Sequence, residues 1–422
     1  MVEIRFAKEL PNFRHLAYFE ALGKKYPNFR DLHLIFDTIK KSNPSVLNKV
    51  VAVSGDVSEL ELGLQTTDKK LVLSSNVVFH AAASVRFDDP LKKATFMNTR
   101  GTREVMELML QMPNLVVGVH VSTTYCNTDK DVIEEKVYRD HGDWREAIRI
   151  AENFEDEYKM ECLTGKCLRS MKNTYIYTKH LAENVVEDYS DRLPLVIYRP
   201  GVVVSIWKDP LPGWTDNING PIGLNVASGK GFLRVIRADP AQIVDDMPVD
   251  LVINGLVAAT WKKGTKRDIE NLPVYNCTME GFLRHTHKHV RDVSLEMISN
   301  YPYNGTIWYP FCDFTKNALL FKIKFLLYNA LVAIVVDSVL KPLGKKPLNN
   351  YIVDASSLDL YDYMVNARIG TSKYLLREEI DLPTARFQYK LLVKSAALHT
   401  KIFIHRIHSI FCDSTESPTF IF

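Results

Sequence analysis

Residues 171–200 read MKNTYIYTKHLAENVVEDYSDRLPLVIYRP, and the fold is decided in this stretch. Tyr175 and Lys179 stand four apart, so a helix puts them on one face. The helix continues through His180–Tyr189, and the apolar run Leu195–Tyr198, just after Pro194, reads as a buried strand. A phenol one turn from an ammonium is a chemical arrangement. The cation is expected to stabilise the phenolate and lower the tyrosine pKa, letting the group give and recover a proton. Tyr-x-x-x-Lys also occurs as an ordinary surface pair. Its place between a strand ending in Ser-Thr and a strand ending in Arg-Pro-Gly separates the two readings.

Working outward, strands and helices alternate. Lys49–Val53 is a short β-branched strand leading to Ser54-Gly55-Asp56-Val57, where an aspartate past a strand end can serve either a nucleotide or its own turn. Asn76–His80 is a second strand, followed by the small residues Ala81, Ala82 and Ala83, which admit a flat ligand or a tightly packed helix. A long helix spans Asp89–Met112 with Asn98 inside it, a poor helix former that needs a reason to be there. Leu115–Val121 is a strong buried strand that ends in Ser122-Thr123-Thr124-Tyr125. In open parallel sheets ligands sit at the carboxyl ends of strands, which places these hydroxyls beside a substrate oxygen. Asn127–Leu168 reads as a charged, mostly solvated insertion. The expected class is α/β: a Rossmann-like, mostly parallel sheet flanked by helices, followed by a C-terminal helical region.

Composition narrows the function. The 53 Lys and Arg nearly balance 50 Asp and Glu, and no basic tract interleaved with aromatics marks a nucleic-acid footprint. Six scattered cysteines form no Cys-x-x-Cys pair, so reduced thiols, a cytosol-facing protein and no metal site are expected. MVEIRFAKEL lacks the apolar core of a secretory signal. Gly229-Lys230-Gly231 does not fit the spacing of a phosphate-binding loop. His285, His287 and His289 alternate in a helical neighbourhood, where they diverge and favour a solvated face. Residues 318–340 and 391–411 are apolar but interrupted by charges. The uncharged run Phe325–Val336 falls short of the about 18 residues that span a bilayer, so it suits an interfacial or acyl-binding helix or plain core. The mixture of apolar and basic residues in 391–411 suits an anionic membrane surface.

Several runs together resemble the alcohol-forming fatty acyl-CoA reductases, extended short-chain dehydrogenases. They are Gly55–Ser58, Asn76–Phe87, Asn98–Thr102, His120–Asn127, Glu134–Tyr138, the loop Trp207–Pro221 and Met247–Asp250. The likeness covers roughly residues 30–310 and returns around Gly370–Arg377. It implies three regions: an atypical 1–48, a Rossmann-like reductase domain over 49–310 and a helical domain over 311–422.

The resemblance also implies roles. Tyr175 is the general acid, Lys179 tunes it and holds the nicotinamide ribose, and Thr123 with Ser122 binds the substrate carbonyl. Asn98 orders a water relay to Lys179. Asp56, with Val57, contacts adenine, Ala81, Ala82 and Ala83 line the cofactor, and Pro200-Gly201 abuts the nicotinamide. The implied reaction takes a long-chain acyl-CoA and two NADPH to a primary alcohol and free CoA. The implied setting is a peroxisomal or endoplasmic-reticulum membrane.

One departure stands out. The family's Gly-x-x-Gly-x-x-Gly turn, which seats a pyrophosphate at a helix N-terminus, occurs nowhere in the chain, and the strand after it is also missing. Two expectations follow: a sequence incomplete at its N-terminus, or a non-catalytic paralogue that binds acyl-CoA or a partner without the cofactor.

Overall fold

The computed structural model describes residues 2–6, 36, 39–154, 157–216, 218–266, 271–279, 284–306, 308–330, 371–376 and 382–390. It separates into two units: Met1–Val203 with Asp245–Gly281, and Val204–Val244 with Phe282–Phe422.

The first unit is built on strands β3 (Val77–His80), β4 (Val117–Val121), β5 (Leu195–Pro200) and β6 (Val274–Cys277). They form one parallel sheet in the order β3-β4-β5-β6. His80 is level with His120, Val121 with Tyr198, and Pro200 with Cys277. The parallel register therefore brings Ala81, Ser122 and Gly201, each the first or second residue after those rungs, to one edge. Parallel strands are covered on both faces, and β5 is buried along its whole length. Leu195 and Ile197 pack there with Leu181, Val185 and Val186. Fully burying each such side chain is worth about 1.5–3 kcal/mol.

Strand β2 (Val50–Ser54) does not join this sheet. It pairs antiparallel with β1 (Val2–Phe6), Val2 opposite Ser54 and Phe6 opposite Val50. Its side chains still enter the common core, where Val51 and Val53 share a cluster with Val78. Backbone donors and acceptors need partners, and here β1 supplies them in place of a parallel neighbour.

Helix α1 (Thr66–Leu73) precedes β3. Between β3 and β4, α2 (Leu91–Ala94) runs through a π-helical stretch, Thr95–Arg100, into α3 (Gly101–Leu110). Asn98 lies in that stretch, so the poor helix former coincides with a local change of winding. After β4 come α4 (Trp144–Asn153), α5 (Glu157–Leu168) and α6 (Thr174–Asp188), and α7 (Val249–Lys266) follows later in the chain. The insertion expected to be solvated is anchored instead. Trp144, Ile148 and Ala151 of α4 are buried, and Asn184 of α6 donates to the Tyr138 carbonyl at 2.7 Å.

In the second unit a short parallel pair joins Val235–Ile236 to Asp313–Phe314. The histidine triplet divides. His285 precedes the helix His287–Asn300 and stacks on His289, with ring centroids 4.8 Å apart. His287 is buried near Phe314, which corrects the expectation of a uniformly solvated face. Ala318–Phe325 is a helix capped by Asn317 and continued by a π-helical turn, Leu326–Ala330. Among the described residues no helix is long and apolar enough to cross a membrane. Residues 331–340 and all of 391–411 lie outside the described residues.

Candidate active site

Helix α6 begins at Asn173, whose side chain accepts from the Ile176 amide at 2.9 Å and fixes the first turn. Tyr175 sits in that turn, and Lys179 follows one turn later. Residue Thr123 lies just past β4. It caps the 3-10 turn Thr124–Asn127, its hydroxyl oxygen accepting from the Tyr125 amide at 3.2 Å. The same side chain neighbours the Tyr175 phenol and draws its pKa down. Lys179 is buried, and its Nζ donates to the Val121 carbonyl at 2.7 Å, two residues before Thr123. Thr123, Tyr175 and Lys179 thus meet at the carboxyl edge of β4.

Their electrostatics differ from the expectation in one respect. Burial pushes the Tyr175 phenol up to about 12, aided by neighbouring Cys126, while the Thr123 side chain pulls the other way. Lys179 does not lower the phenol: burial drives the ammonium down to about 8, with Cys126 and Glu183 opposing. The cation spends its short bond on a main-chain oxygen, leaving Tyr175 a firmly protonated acid at neutral pH.

Two other assigned residues have side chains engaged by neighbours. Ser122 turns away from the phenol. Its hydroxyl donates to Glu183 Oε1 at 2.5 Å, in a core network that the sequence reading missed. Arg199 donates to both oxygens of Glu183, at 2.7 Å each, and to the carbonyls of Glu134 and Lys136 at 3.0 and 2.7 Å. Cys126 donates to the same carboxylate at 3.2 Å. The available signal was Arg199 itself: a guanidinium in an otherwise apolar strand demands a buried partner. The Asn98 side chain is fully engaged. Its amide nitrogen donates to the Ser84 carbonyl and to Thr178 Oγ1, while its oxygen accepts from the Ser84 amide at 2.8 Å. Both amide hydrogens are taken. The latch holds the loop after Ala81–Ala83, on which Phe87 lies 5.6 Å from the Tyr175 ring, centroid to centroid.

The remaining positions are split between the sheet edge and β2. Pro200 and Gly201 are buried at the end of β5. A Cβ on Gly201 would stand 2.3 Å from an Asp245 carboxylate oxygen, so that approach already explains the glycine. Asp56 is exposed, and its Oδ1 accepts from the amide and hydroxyl of Ser58 at 2.8 and 2.7 Å. Those bonds hold its carboxyl below the usual range. Val57 is buried and packs against Gly101, whose Cβ position it occupies. Asp56 and Val57 follow β2, outside the parallel sheet.

A nicotinamide cofactor is tested here at its ribose and ring end. Tyr175, Lys179 and the Pro200-Gly201 edge are positioned for a ribose and ring. Among the described residues, the turn after β2 carries Asp56, the residue implied to contact adenine, into the 3-10 helix Leu60–Gly63.

Residues 22–256 match the NAD-binding family described as "Male sterility protein". Fatty acyl-CoA reductase 1 of Rattus norvegicus is 33% identical over 396 residues, covering 83% of this chain and 76% of that protein. The Homo sapiens protein of that name is 33% identical over 399 residues, with the same shares covered. Among solved structures, the terminal R domain of the myxalamid PKS-NRPS pathway aligns with a TM-score of 0.49 at 17% identity, over 79% of this chain and 78% of that one. With the family match spanning more than half its length and a third of the aligned residues identical to those of these reductases, the chain belongs to the fatty acyl-CoA reductase family.

Proposed function

We propose that this protein reduces long-chain fatty acyl-CoA to a primary alcohol with NADPH, releasing CoA. The observation that carries this is the meeting of Thr123, Tyr175 and Lys179 at the edge of β4. The Thr123 hydroxyl donates to the substrate carbonyl oxygen, on which negative charge develops. Tyr175, a phenol held protonated by burial, gives its proton to that oxygen. Lys179 carries positive charge below about pH 8 and lies behind the hydroxyl pair on the Val121 carbonyl. Two reduced nicotinamides, bound in turn, would supply the two hydrides the reaction needs: the first to take the thioester to the aldehyde with loss of CoA, the second to take the aldehyde to the alcohol. Purified protein given NADPH and palmitoyl-CoA is expected to consume the cofactor and yield hexadecanol; a full chain that binds both and consumes neither would overturn this reading.

The alternative reading to be separated from this one is an acyl-CoA-binding protein without reductase activity. Calorimetry separates the two: NADPH binding with micromolar affinity supports the reductase, and acyl-CoA binding with no NADPH binding supports the alternative. Peripheral membrane attachment is part of the proposal. Helix Ala318–Phe325 exposes Leu319, Leu320 and Ile323 alongside Lys322, a surface suited to an anionic bilayer. Co-sedimentation with phosphatidylserine vesicles tests it.

A further inference from the structure

The loop between the Thr124–Asn127 turn and α4 carries Asp129, Asp140 and His141, whose ligand atoms all lie within 4.8 Å of one another. His141 Nε2 is 3.0 Å from Asp129 Oδ2 and 3.5 Å from Asp140 Oδ1. Clusters of this kind are common on protein surfaces and by themselves hold nothing. The second observation comes from α6. His180, the residue after Lys179, is fully buried, and its Nε2 has no hydrogen-bond partner. That nitrogen stands 4.0 Å from Asp140 Oδ1, and the ring meets His141 edge-on with centroids 4.9 Å apart.

The tautomer of His180 follows from its other contact. Nδ1 lies 2.8 Å from Asn127 Oδ1, and the Asn127 amide nitrogen is committed to Cys126 Sγ at 3.1 Å. An amide oxygen only accepts, so Nδ1 carries the proton and Nε2 presents a bare lone pair. Burial, with His141 nearby, pushes the imidazole down to about 4 and keeps it neutral. A metal-ligating histidine requires this arrangement: a neutral ring whose far nitrogen is oriented by a second hydrogen bond. A buried acceptor left without a donor is unfavourable, and a cation would relieve it.

The spacing is consistent with a specific class of ion. Zinc binds imidazole nitrogen and carboxylate oxygen at about 2.0–2.2 Å in a tetrahedron, which separates neighbouring ligand atoms by about 3.4 Å. Three of the six ligand-atom separations, 3.0, 3.5 and 4.0 Å, lie around that edge; Asp129, Asp140 and His141 form the compact group and His180 stands outside it, so its ring must move inward to close the tetrahedron. Lys130 already acts as a cation here, bonding Asp129 at 2.9 Å and also Asp140. Its flexible stem can swing outward without disturbing the backbone.

We propose that Asp129, Asp140, His141 and His180 form a two-nitrogen, two-oxygen site for a zinc-class divalent cation, with Lys130 as the cation it displaces. Such an ion would staple the loop to the helix that carries Tyr175 and Lys179. The site is independent of the reductase reading.

The test uses the full chain, stripped with chelator and titrated with cobalt(II) as an optical stand-in for zinc. One equivalent is expected to give the intense visible band of four-coordinate cobalt, and zinc should bleach it. Asp140→Asn, at an exposed position, should weaken binding by about tenfold or more, and His180→Gln likewise. Lys130→Ala should tighten it severalfold by removing the competing ammonium. Zinc should also raise the melting temperature of the wild type and of Lys130→Ala, but not of Asp140→Asn. Absence of a band, binding unchanged in Asp140→Asn, weaker binding in Lys130→Ala, or a thiolate charge-transfer band in the near ultraviolet would each overturn the proposal.

Discussion

Lys179 Nζ donates to the carbonyl oxygen of Val121 at 2.7 Å, joining the middle of α6 to the last residue of β4. The bond places an ammonium inside the protein with one main-chain oxygen for company, and its consequences are measurable.

The first concerns stability against pH. Burial lowers the Lys179 pKa from 10.5 to about 8. Below pH 8 the group is charged in folded and unfolded chains alike, and the full cost of burying that charge is present. Between pH 8 and 10.5 the unfolded chain holds the extra proton, so this group makes stability rise with pH across that window. The full shift corresponds to about 3 kcal/mol. Lys179→Met should therefore raise the unfolding free energy at pH 7, by about 2 kcal/mol once the lost hydrogen bond is counted, and the gain should vanish by pH 10. Urea unfolding of both proteins at the two pH values checks it. A variant equally destabilised at both would show that the charge is not a burden.

Tyr175 titrates in a different range. With its phenol pushed up to about 12, it stays protonated through pH 10. In the proposed reduction, a fall in rate beginning near pH 8 would therefore belong to Lys179, whose charge is lost there. Tyr175→Phe should lower kcat by about 100-fold or more and leave acyl-CoA binding within a few-fold. A pH–rate profile with no limb near 8 would remove Lys179 from the chemistry, and a phenylalanine variant with normal kcat would remove Tyr175.

Much of this was legible in the sequence, for reasons of spacing. The four-residue step from Tyr175 to Lys179 sets both on one helix face, and the apolar runs ending in Ser122-Thr123 and Pro200-Gly201 mark the sheet edge. What could not be read depends on which way neighbours point. Ser122 and Thr123 are adjacent hydroxyls on an extended chain, so they face opposite sides; only the fold shows that Thr123 takes the phenol and Ser122 takes Glu183. The pairing of β2 with β1 was equally closed to sequence reasoning, because antiparallel partners carry no local signal. Asn98 lay between these cases: its poor helix propensity flagged the position, but not the Ser84 latch.

The Glu183–Arg199 pair should dominate the stability of this unit. Both side chains are at most 1% exposed and share two bonds of 2.7 Å. Removing one partner strands a buried charge, so Glu183→Gln or Arg199→Met should each cost about 3–5 kcal/mol. The double variant Glu183→Leu/Arg199→Met should cost less than the sum of the singles. Chemical denaturation of the four proteins completes the cycle, and additive losses would show that the two groups act separately.

Asn98 makes the last case, because its role is geometric. Its amide closes three bonds, two of them to the backbone of Ser84, and so pins the loop that carries Ala81–Ala83 and Phe87 beside Tyr175. Asn98→Ala leaves the buried Ser84 amide and carbonyl unpaired, at about 1–3 kcal/mol for each group. Asn98→Asp should not rescue it, since a carboxylate accepts the Ser84 amide but offers no hydrogen to the Ser84 carbonyl. Hydrogen exchange is the direct measurement: the Ser84 amide should lose protection by about tenfold or more in the alanine variant, while amides in β4 and β5 keep theirs. Unchanged exchange at Ser84 would show that the loop is held from elsewhere and that the π-helical stretch serves the core alone.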